Sequence, residues 1–68
     1  MKYIKEYLCD KRRPTDGEIR ECLEIVNKEN CIVKLTWFVP YNGSHQLYVK
    51  NGMTFEECKD KLPKSYGV

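Results

Sequence analysis

Four cysteines, at 9, 22, 31 and 58, and a single histidine, His45, are the residues with the greatest chemical potential in this chain. Together they could ligate zinc. Structural zinc sites, however, bring ligands in closely spaced pairs, and no CxxC or HxxxH occurs. Ser44 and His45 are adjacent, but neighbours on a strand point to opposite faces, so they cannot act as nucleophile and base. A sole histidine would have to be the general base of any such chemistry. No glycine-rich phosphate loop is present, and the acids fall at helical salt-pair spacing. The sequence predicts no catalytic residue, no metal and no cofactor, and a non-enzymatic role.

The elements around these residues explain most of the cysteines as packing. Residues 31–50, CIVKLTWFVPYNGSHQLYVK, hold the densest run of β-branched and aromatic side chains. Asn42-Gly43 is a hairpin signal. Strands are expected at about 31–39 and 45–50. Cys31, Val33, Leu35, Trp37 and Val39 share one face, joined by His45, Leu47 and Val49. Ile32, Lys34, Thr36 and Phe38 share the other, with Gln46, Tyr48 and Lys50. A loop over 40–44, pairing Trp37 with Leu47 and Leu35 with Val49, keeps the faces unmixed. A bulge near Pro40 is the alternative.

Thr15-Asp16-Gly17-Glu18 reads as a capping box opening a helix at about 15–29, with Ile19, Cys22, Leu23 and Val26 on one stripe. Thr54 with Glu57 opens a second helix at about 54–62, where Phe55, Cys58 and Leu62 align. Asn51-Gly52 turns the chain between hairpin and second helix. Residues 2–10 fit either a third helix, favoured by Lys, Glu and Leu, or an extra strand, which a two-stranded hairpin needs. Pro14 breaks any helix at Arg13. The expected class is therefore α+β: an antiparallel hairpin with both helices packed on its Trp37 face.

Length and composition set the frame. The 68 residues, at 41% hydrophobic and 32% charged, suit one small folded domain rather than a disordered chain. Twelve basic and ten acidic residues give a net charge of +2, low for a protein living on phosphate contacts. No apolar run approaches a membrane span. The first residues lack the uninterrupted apolar stretch of a secretory signal. A cytoplasmic setting with reduced thiols is expected. Cys9 is the one thiol that the elements do not place; an exposed site near Lys11 and Arg12 would lower its pKa.

The second sheet face is the candidate for function. Phe38, Tyr48 and Ile32 are more apolar surface than a wet face needs. They are either covered by the N-terminal segment or form a contact patch. With Lys34, Lys50 and the loop residue Tyr41 they make the predicted binding surface for another protein, or for a second copy. The alternative is a nucleic-acid site, with bases stacked on the aromatics and phosphates met by Lys34, Lys50 and the Lys11-Arg12-Arg13 cluster.

Two resemblances attach to these segments. The order strand, turn, strand, helix, with NGMTFEECKDKL after the hairpin, resembles the opening half of a ubiquitin-like β-grasp. In size and texture the chain is similar to short accessory proteins of bacterial phages and mobile elements. That likeness implies an inhibitor or adaptor, as some of those proteins inhibit host defence enzymes such as CRISPR nucleases.

Overall fold

Both capping boxes form as their spacing requires. Thr15 accepts from the Glu18 N–H at 3.2 Å and its own N–H donates to Glu18 Oε1 at 2.8 Å. Thr54 and Glu57 repeat the exchange at 3.1 and 2.8 Å. The computed structural model describes residues 3–10, 13–39 and 43–62. Its elements run β1 (Ile4–Cys9), α1 (Asp16–Glu29), β2 (Ile32–Val39), β3 (Gly43–Val49) and α2 (Phe55–Lys61). Asn30, in the left-handed region at φ 52°, ends α1.

The N-terminal segment is the extra strand, not the third helix. β1 pairs in parallel with β2, and β2 pairs antiparallel with β3, giving the three-stranded order β1-β2-β3. The sheet is therefore mixed, and the expected two-stranded hairpin is only part of it. A parallel pair needs a crossover of a dozen or more residues, and α1 supplies it. Local propensity favoured helix at residues 4–9. It is overridden because the strand lets β2 pair along both edges and sends Tyr7 and Cys9 toward the helices. The hairpin-then-helix order resembling a β-grasp is present as β2-β3-α2, but behind a strand and a helix.

The faces of the hairpin are as the alternation predicts, while the register differs by two residues. Trp37 lies opposite His45, Leu35 opposite Leu47 and Val33 opposite Val49. Val39 lies opposite Gly43, so β3 starts two residues earlier than expected. An even slip leaves every side chain on its face, and alternation cannot detect it. Trp37 and His45 stack, with ring centroids 5.8 Å apart and planes at 19°.

The core lies between the sheet and the two helices. α1 rests on β2 and β3, and α2 on α1 and β3. Ile19, Cys22 and Val26 from α1, Cys58 from α2, and Cys31, Val33, Leu35 and Val49 from the hairpin are fully buried. Arg20 stacks its guanidinium 4.1 Å from the centre of the Phe55 ring, and Lys59 pairs with Asp16 at 2.9 Å, joining the helices. That ion pair is exposed and contributes little, though it holds the Asp16 carboxyl below the usual carboxylate range.

The turn after β3 contains a glycine that must be one. Met53 N–H donates to Lys50 C=O at 3.3 Å, and Gly52 takes φ 89°. A Cβ there would meet open space, so only backbone strain opposes a substitution. Gly52→Ala should destabilise by about 1–2 kcal/mol. Gly17 inside α1 is the contrast: its Cβ would meet Thr15 Oγ1 at an ordinary 3.9 Å. Gly17→Ala should stabilise by about 0.5–1 kcal/mol. Urea midpoints shifting in opposite directions check both.

Candidate functional site

All four thiols are buried, so the thiol chemistry open to an exposed Cys9 is absent from the folded surface. Cys9 is 1% exposed on the helix-facing side of β1, opposite Trp37. Its Sγ lies 3.4 Å from Glu18 Oε1 and donates toward it. Burial pushes the Cys22 thiol up to about 12, with Glu21 adding to it, and burial first of all also raises Cys58. No disulfide joins the four. Among the described residues no three of His, Cys, Asp and Glu gather as metal ligands would. Ser44 and His45 separate as strand neighbours must: Ser44 accepts from Gln46 Nε2 at 3.0 Å, while His45 stacks on Trp37.

A line of carboxylates on α1 holds β1 in place. Glu29 accepts from the Tyr3 hydroxyl and pairs with Lys5 at 3.1 Å. Glu21 accepts from the Tyr7 hydroxyl at 2.5 Å. Hydrogen bonding to Glu29 raises Tyr3 to about 12 and lowers Glu29; the bond to Glu21 likewise raises Tyr7. These groups are at or near the surface, and their role is to dock the strand.

No element among the described residues covers the opposite sheet face. Of the two alternatives, cover by the N-terminal segment does not form: β1 joins the sheet edge-on and enlarges that face. Reading across the strands, Ile4 lies beside Ile32, Glu6 beside Lys34, and Leu8 beside Thr36. On the other side Tyr48 lies beside Lys34, Gln46 beside Thr36, and Ser44 beside Phe38. Leu8 is 68% exposed, Ile4 56%, Phe38 55% and Tyr48 44%. Thr36, crowded between Leu8 and Gln46 on the central strand, is buried although it faces away from the helices.

The predicted binding residues divide in three. Phe38, Tyr48, Ile32 and Lys34 share the bare face, but Phe38 and Tyr48 are not neighbours. Four residues of β2 separate their positions, about 13 Å at strand rise. Leu8, diagonal to Phe38, is the true neighbour, and Ile4 extends the apolar surface at the far end. Sequence reading missed both, since only the strand alternative for residues 4–9 puts them there. Lys50 stands just past the end of β3, in the turn closed by Met53. Arg13 is exposed in a bend before Pro14. Tyr41, Lys11 and Arg12 lie outside the described residues.

Charge on the bare face is mixed, with Glu6 standing directly across from Lys34. No helix among the described residues is long and apolar enough to cross a membrane. Comparison with known proteins finds no matching family model, no matching curated protein and no matching solved structure.

Proposed function

We propose that this chain is a non-enzymatic protein-binding module whose contact surface is the bare face of its sheet. It would act as an inhibitor or adaptor, of the kind that short phage accessory proteins supply against host defence nucleases. One observation carries the reading: four large apolar side chains, Ile4, Leu8, Phe38 and Tyr48, stand exposed on or beside a face that no element of the described chain covers. Parallel strand pairs are usually covered on both faces. Among the described residues β1 and β2 are covered on one. Aromatic side chains in such a setting are the residues enriched in interface cores.

The nucleic-acid alternative draws on Tyr48 between Lys34 and Lys50. It is weakened by Glu6, which the register sets against Lys34.

The test replaces the diagonal pair. The immobilised chain is exposed to a cytosolic lysate with and without nuclease, beside the variant Leu8→Glu with Phe38→Glu. Both positions are exposed, so the variant should keep its helix and sheet circular dichroism. The expected result is a discrete protein band that survives nuclease and disappears with the variant. A folded variant that retains the band would exclude this face. Nuclease-sensitive capture that falls steeply with salt would favour nucleic acid, through counterion release.

A further inference from the structure

We infer that the outer edge of β3 accepts an extended, acidic segment of the partner as a fourth strand. The inference rests on the protein-binding reading and specifies the partner's chemistry. β3 is last in the sheet order, and no further strand flanks it among the described residues. Such an edge carries N–H and C=O groups pointing outward at alternate residues, a template for an added strand. β1 offers the other edge, but the side chains next to it are already committed: Lys5 to Glu29, and Tyr7 to Glu21.

Beside β3 the surface has a shallow hollow of about 500 Å³, lined by Gln46, Leu47, Tyr48, Lys50, Met53 and Lys61. These residues wrap the edge. Gln46 and Tyr48 come from the bare face, Leu47 and Met53 from the helix side. A strand laid along β3 would send alternate side chains to the two sides. One set would meet Tyr48, the other Leu47 and Met53.

Charge selects the occupant. The two charged side chains that line the hollow among the described residues, Lys50 and Lys61, are both cations. Lys61 is available for a physical reason. Its helical partner by spacing is Glu57, but that carboxylate turns back to cap the Thr54 N–H. An extended segment carrying Glu or Asp would pair with both lysines while its backbone pairs with β3. A nucleic acid could meet the same cations, yet it lacks the alternating donors and acceptors that the strand edge offers.

The test is a titration of the isotope-labelled chain, followed by amide resonances and hydrogen exchange. The probes are an end-blocked peptide of alternating glutamate and valine, its lysine–valine counterpart, and a short oligothymidylate. The glutamate peptide should shift amides across Gly43–Val49 and protect the alternate ones that point outward. The lysine peptide should bind about tenfold more weakly, the scale of two exposed ion pairs. Lys50→Glu with Lys61→Glu should reverse that preference. Equal response to both peptides, no response to either, or shifts confined to β1 would overturn the inference. A response to the oligothymidylate alone would overturn it in favour of nucleic acid. The lysate capture separates the two readings. If the lysine variant keeps the captured band and the Leu8→Glu, Phe38→Glu variant loses it, only the β3 assignment falls.

Discussion

Trp37→Ala should leave about half of the chain unfolded at 25 °C before any urea is added, so that its urea titration lacks the folded baseline of the parent. Trp37 is 1% exposed and is the largest fully buried side chain. It sits on the central strand, between Cys9 of β1 and His45 of β3. Truncating a buried tryptophan costs about 3–5 kcal/mol, while a core in a domain of this size supplies about 3–5 kcal/mol in all. The two are equal, so net stability should fall to about zero, which leaves about half of the molecules folded. Trp37→Phe should behave differently. The indole Nε1 is buried with no hydrogen-bond partner among the described residues, and an unpaired buried donor costs about 1–3 kcal/mol. Phenylalanine removes that donor and keeps a ring against His45, offsetting the lost volume. The phenylalanine variant should fold, with a midpoint much closer to the parent's. Circular dichroism against urea measures both. An alanine variant with an unshifted midpoint would show that the core is not built around Trp37.

What the sequence made legible was local. Thr15 with Glu18 and Thr54 with Glu57 specify two helix starts within four residues each, and both form as written. The stripe of Ile19, Cys22 and Val26 follows from helical geometry alone, and all three are buried. The hairpin faces follow from strand alternation. Register was not legible, because pairing Trp37 with Leu47 or with His45 satisfies the same alternation. The stacking of Trp37 on His45 is a cross-strand contact with no local signature. Residues 4–9 were legible only as two alternatives. Their side chains suit a helix, and the strand is stabilised by β2, which lies more than twenty residues away in sequence. The candidate site inherits that ambiguity. Phe38 and Tyr48 could be read as one patch from the hairpin alone, but Leu8 and Ile4 enter only once β1 is a strand. The same step takes Cys9 off the surface.

Burial of the thiols should make them react orders of magnitude more slowly than free cysteine, and not all at one rate. Attack on a disulfide reagent requires the thiolate. Cys22, Cys31 and Cys58 are 0% exposed, and burial raises the pKa of Cys22 and Cys58. They can react only when the core opens. If opening costs about 3–5 kcal/mol, protection should be about a hundredfold to several thousandfold, at tenfold per 1.4 kcal/mol. Cys9 is equally covered at 1%, yet its surroundings differ. It ends an edge strand, and that strand is docked to α1 largely through hydrogen bonds from Tyr3, Lys5 and Tyr7 to Glu29 and Glu21. Such a segment can open alone, at less cost than the whole fold. Cys9 should therefore be modified first, followed by the other three together at the global rate. Glu21→Gln, which leaves Tyr7 a weaker, uncharged acceptor, should accelerate Cys9 and, because global opening breaks the same bond, the other three as well; Gly52→Ala, in the turn after β3, should accelerate only those three. Site-resolved mass spectrometry over a reaction time course reads all four. Simultaneous modification at a single slow rate would show that β1 is part of the same cooperative unit as the core. Cys9 reacting at the rate of a free thiol would show that β1 spends its time off the sheet, and the bare face would then lose Ile4 and Leu8.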